Sequence, residues 1–176
     1  MAFAIALAAF AAVGVLRIAE LVYARHTAKR LAAAGARLVR DDGMGLIVAT
    51  HVAWFAAAGT EAGLRGETFG WWTTVGLAAF AAGLALRWSA MAALGWRWNT
   101  RVWVLPDAPL VATGPYRILR HPIYVGVALE LAGLPFAFGL WGTTAAIAVV
   151  DGVALRRRVR REEVALGQQL HQDPAG

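Results

Sequence analysis

Long apolar runs separated by arginine-bearing gaps constrain this chain more than any other feature of its sequence. A helix needs about 20 apolar residues to cross the hydrocarbon core of a bilayer. The run beginning at Ala2 reaches Leu16 and continues toward Tyr23, interrupted only by Arg17 and Glu20. Met44 to Gly63 forms a second run that contains His51 and Glu61, and Phe69 to Gly95 a third that contains Arg87. Residues 123–155 are too long for one span, and "GLPFAFG" predicts a break at Pro135 that folds two helices into a hairpin. Hydrophobic residues make up 59% of the chain and mean hydropathy is +0.55, too apolar for an ordinary soluble domain. The expected fold is an all-α integral membrane protein, one domain over residues 1–176 with about five transmembrane helices. Its parts are spans at 1–23, 44–63 and 69–95, a cytoplasmic loop at 96–122, the Pro-broken hairpin at 123–155 and a tail at 156–176 carrying a short cytoplasmic helix.

The net charge of +6 comes almost wholly from arginine, Lys29 being the sole lysine. Arg25, Lys29, Arg30, Arg37 and Arg40 fill the first gap, Trp96 to His121 is basic, and the tail holds "RRRVRR". The gap after the second run offers only Arg65 against Glu67. This alternation places the N-terminus outside and the C-terminus in the cytoplasm. Charge confined to the gaps reads as membrane orientation and contact with membrane lipids, not as a nucleic-acid surface. No basic segment precedes the first run, which favours a retained helix over a cleaved signal. The chain has no cysteine, so disulfides and thiolate metal sites are excluded, and its four histidines lack the spacing of a zinc site. Tryptophans gather at the ends of the runs, as interfacial belts do, with Trp96 and Trp98 also near the one polar loop.

That loop ends in "GPYRILRHPIYVG", Gly114 to Gly126. Gly114 and Pro115 set a turn, and Pro122 suits the first position of a helix, where a missing N–H costs little. His121 then sits at a helix start whose free amides favour an anion, with Arg117 and Arg120 adding positive charge. Tyr124 follows, and Gly126 leaves room for close approach by backbone or ligand. Taken singly, these pieces also suit a basic cytoplasmic loop. In the tail, Arg158 and Glu162 are four apart and Arg160 and Glu163 three apart, spacings that pair along one helix. Ionisable groups inside spans mark either function or a buried polar pair; His51 and Glu130 lie deep enough to qualify, and Arg87 is a partner for either. Arg17 and Glu61 are near enough to run ends to snorkel, and Asn99 suits a cap or turn.

Together, Gly-Pro-Tyr, three residues, then Arg-His-Pro-x-Tyr-x-Gly resembles the signature of the isoprenylcysteine carboxyl methyltransferase family. "RRRVRREEVAL" resembles that family's C-terminal segment, and "WNTRVWVLPDAPLVATGPY" and "HVAWF" with Glu61 resemble its bacterial members, so similarity runs from about His51 onward. The resemblance implies transfer of a methyl group from S-adenosyl-L-methionine to an oxygen of a lipophilic acceptor at the inner leaflet. It implies cofactor binding by Arg120, His121, Pro122, Tyr124, Gly126, Arg158, Arg160, Glu162 and Glu163. Among these, His121 and Arg120 suit a carboxylate, the glutamates suit ribose hydroxyls or an ammonium, and the Tyr124 ring suits a sulfonium. Trp98, Asn99 and Arg87 are candidates for acceptor contact, and Glu130 and His51 for the catalytic centre. An acceptor oxygen already ionised needs alignment more than a base. The resemblance is to bacterial members, some of which methylate alkylpyrone or alkylresorcinol lipids, and the alanine and arginine bias suits a bacterial inner membrane. The alternatives are a phospholipid N-methyltransferase, an NADPH-dependent membrane reductase and a non-catalytic scaffold. A transporter is disfavoured, since no doubled pattern of spans is present.

Overall fold

A computed structural model describes residues 2–40, 43–106 and 108–172, so residues 173–176 of the expected tail lie outside it. Its α-helices are α1 (Ala2–Ala33), α2 (Met44–Arg65), α3 (Trp71–Leu94), α4 (Pro122–Ala137) and α5 (Trp141–Gln172). Among the described residues, two pieces of helix are long and apolar enough to cross a membrane, Ile5–Ala33 and Trp71–Arg97. The shorter Pro122–Ala137 is apolar throughout. The only β structure among the described residues is a clasp in which β1 (Arg37–Leu38) pairs antiparallel with β2 (Trp103–Val104). It ties the first arginine-bearing gap to the loop before the signature, a small departure from the all-α expectation.

Two helices outrun their expected limits. α1 extends ten residues past Tyr23, because Arg25 to Ala33 continues the helix beyond the apolar run. α5 is one unbroken helix that includes the second hairpin arm and the tail as far as Gln172, so no separate helix follows the hairpin among the described residues. The break between α4 and α5 also falls later than Pro135, which lies inside α4. Proline there removes the N–H that would bond the Leu131 carbonyl. The Trp54 indole N–H from α2 donates to that carbonyl instead, at 2.8 Å, and the helix survives. The true stop is a Schellman turn, in which Leu140 N–H bonds the Pro135 carbonyl and Gly139 N–H the Phe136 carbonyl. Gly139 adopts φ +69°, which a side chain would strain. Just beyond, Glu61 accepts the N–H groups of Gly142 and Thr143 at 2.9 and 2.7 Å. Glu61 therefore caps the start of α5 and does not snorkel.

α3 and α4 are packed backbone to backbone. A Cβ on Gly126 would lie 2.8 Å from the Gly83 carbonyl, and one on Gly83 would lie 2.7 Å from the Gly126 carbonyl. Glycine at these facing positions lets two apolar helices approach as small-residue seams do in membranes. The hydrophobic core joins Phe10 and Val13 of α1, Trp54 and Ala58 of α2, Leu131 and Leu134 of α4, and Ile147 of α5.

Candidate functional site

The Gly-Pro-Tyr turn forms a short 3₁₀ helix over Gly114–Arg117, with Gly114 at φ +56°. α4 begins at Pro122, its first helical position, with His121 as the residue before it. The far end of α5 returns to this point. Tyr124 donates its hydroxyl hydrogen to Glu162, and Arg158 Nε donates to the same Tyr124 oxygen at 3.2 Å. His121 Nε2 lies 3.2 Å from Glu163 Oε1, and the His121 ring stacks on Tyr124 with centroids 5.7 Å apart. The buried Arg158 also donates to the Thr100 carbonyl at 2.8 Å, which anchors the signature loop to α5. Burial and then the charge of Glu162 push the Tyr116 hydroxyl above its ordinary value. Tyr116, which the sequence reading named only within the Gly-Pro-Tyr signature, therefore feels the charge of the cluster.

Other candidates stand elsewhere. Arg120 and Arg160 are exposed and make none of these contacts, and Gly126 serves the seam with α3. Trp98 is buried and stacks on Tyr23 of α1, with rings 5.6 Å apart and 18° from parallel. Asn99 donates to the Ala24 carbonyl and to Thr27 Oγ1, at 2.6 and 2.9 Å, and accepts from Arg101 N–H. Both residues thus fasten the signature loop to α1. His51 pairs its Nδ1 with the Ile47 carbonyl of its own helix, 2.9 Å away.

Deeper, below the loop, Arg87 pairs with Glu130 at 2.8 Å and with Glu20. Arg17 pairs with Glu20 at 2.8 Å and with Glu130. Two arginines and two glutamates from α1, α3 and α4 therefore close a neutral quartet. Arg17 does not snorkel to the surface, because two buried carboxylates hold it inward. Glu20 is the quartet member that the sequence reading passed over. Its position three residues after Arg17 was the available signal.

Two regions thus emerge: a polar cluster at the loop, where opposite charges and an aromatic face converge, and a self-neutralised knot beneath it. The model of the "Isoprenylcysteine carboxyl methyltransferase (ICMT) family" matches residues 74–168, more than half of the chain. The chain is 30% identical over 86% of its length to "Uncharacterized protein YpbQ" of Bacillus subtilis (strain 168), covering 90% of that protein. It is 25% identical over 89% of its length to an "Uncharacterized protein" of Haemophilus influenzae, covering 92% of that one. No solved structure matches it. The matched region contains both the loop signature and the glutamate pair that meet in the cluster, and the chain belongs to the isoprenylcysteine carboxyl methyltransferase family.

Proposed function

We propose that the protein transfers a methyl group from S-adenosyl-L-methionine to an oxygen of a lipophilic acceptor, at the cytoplasmic face of the membrane. The observation that carries this reading is the meeting of His121 and Tyr124 with Glu162 and Glu163, residues about forty positions apart in sequence. The donor set fits the cofactor's parts: carboxylates for ribose hydroxyls or an ammonium, Arg158 for a carboxylate, and stacked rings for a cation. The cofactor would supply an electrophilic methyl carbon, whose bond to sulfur breaks as the bond to the acceptor oxygen forms and sulfur keeps the electron pair. The chain's own work is alignment and exclusion of water. Arg158 holds Tyr124 and the Thr100 carbonyl in one place, so the loop and α5 form a single wall.

The quartet supports a positioning role for Glu130 and Arg87, since each spends its charge on a partner within the protein. A hydroxyl, enol or carboxylate acceptor would bring its own ionisable oxygen. All five helices are taken to cross the bilayer, with the arginine-rich side facing the cytoplasm.

Titration of detergent-purified protein with S-adenosylmethionine, S-adenosylhomocysteine and NADPH tests the reading. Binding of the first two is expected, weakened about tenfold or more in His121→Ala and Glu163→Ala, as loss of a charged hydrogen bond predicts. Binding of NADPH alone would replace the methyltransferase by a reductase, and binding of none would leave a scaffold.

A further inference from the structure

The face that α5 turns inward carries Thr143, Ile147, Asp151, Ala154 and Arg158, all buried. Thr143 is engaged by Glu61, and Arg158 by Tyr124 and Thr100. Asp151 differs: it is 3% exposed, yet its Oδ1 has no hydrogen-bond partner. Asp151 lines a cavity of about 180 Å³ between α4 and α5, whose other walls include Ala128, Leu131 and Ala132 opposite Ile147 and Ala148. Among the described residues it is the only polar side chain in that lining.

Replacing Asp151 with an apolar residue would remove an unsatisfied group from the bilayer interior, so its presence is a cost that packing does not explain. Water is a poor occupant. Buried waters make about three hydrogen bonds, and this lining offers a single polar side chain. Apolar cavities of about 150 Å³ stay dry and take small hydrocarbon groups. The occupant that suits both walls and carboxyl is an apolar chain bearing one hydrogen-bond donor.

We infer that the cavity between α4 and α5 receives the hydrocarbon chain of the methyl acceptor and that Asp151 accepts a hydrogen bond from a hydroxyl on that chain. The inference rests on the methyltransferase reading above and adds a substrate class to it. Asp151 lies seven residues before Arg158, about 10 Å along the helix. Arg158 belongs to the loop cluster, so the chain hydroxyl would stand about that far along α5 from the cluster.

The test uses the full-length protein in lipid nanodiscs, titrated with stearic acid and with its mid-chain hydroxylated form, and read by native mass spectrometry against empty nanodiscs. The wild type should prefer the hydroxylated chain about three- to tenfold, the net worth of one hydrogen bond. Asp151→Leu should bind both acids equally, and Asp151→Asn, which keeps an acceptor, should retain part of the preference. Equal affinity in the wild type, or a preference that survives in Asp151→Leu, overturns the inference. The wild-type comparison decides by itself if a variant fails to fold. A parallel S-adenosylhomocysteine titration separates the two claims. Nucleotide binding without chain preference sinks the hydroxyl site alone, and chain preference without nucleotide binding sinks the methyltransferase reading.

Discussion

Glu130 shows how much one buried carboxylate can hold. It is 2% exposed and faces the guanidinium groups of Arg17 and Arg87, which share Glu20 on their other side. Glu130→Gln leaves two arginines with one carboxylate in a largely buried site. A loss of about 3 kcal/mol is expected, because removing one partner strands a buried charge. Adding Arg17→Met to that variant restores neutrality and should recover part of the loss, measured by unfolding in detergent. Tyr116 gives a pH-dependent counterpart. Its hydroxyl is raised from the ordinary value of 10.0, first by burial and then by Glu162. The folded state therefore holds that proton more tightly than the unfolded chain. Its stabilisation is complete below about pH 10 and declines as pH rises beyond it. Melting curves on either side of that pH should show the decline in the wild type and a shallower one in Tyr116→Phe.

At the scale of elements, the facing glycines of α3 and α4 set the distance between those helices. Gly126→Ala would drive a methyl group to 2.8 Å from the Gly83 carbonyl, a backbone atom with nowhere to go. A destabilisation of about 1–3 kcal/mol is expected in thermal unfolding, with partial loss of nucleotide binding as Tyr124 shifts. The seam was only half legible: the sequence suggested that Gly126 permits close approach, but not that α3, rather than a ligand, approaches. Pro135 teaches the same lesson in reverse. Its helix-breaking tendency is local and readable, whereas the Trp54 indole that rescues the Leu131 carbonyl comes from a different helix. Helix runs past the expected span end at Tyr23 and from hairpin into tail because hydropathy reports where lipid ends. It says nothing of where backbone hydrogen bonding ends.

For the whole molecule, the loop signature and the glutamate pair were readable as patterns, and the structure brings them into contact at His121 and Glu163. What the sequence did not disclose was depth. Arg17 and Glu20 looked like end residues of a run, and Asp151 sat unremarked in an apolar arm, because burial depends on which helices become neighbours. The orientation of the bundle is directly testable, since the chain has no cysteine to interfere. Single cysteines at Arg65 and Ile118, both highly exposed, should react with an impermeant reagent from opposite sides, Arg65→Cys from outside and Ile118→Cys only from the cytoplasm. Labelling of both from one side would refute the assigned topology. The unbroken course of α5 has a mechanical corollary. A single stiff rod is pinned at its start by the Glu61 carboxylate and carries Glu162 and Glu163 toward its other end. Helices meet a change in bilayer thickness by tilting. If α5 spans the bilayer as proposed, tilt about the Glu61 pin would carry the glutamates across His121 and Tyr124, so activity is expected to change with the acyl-chain length of the surrounding lipid.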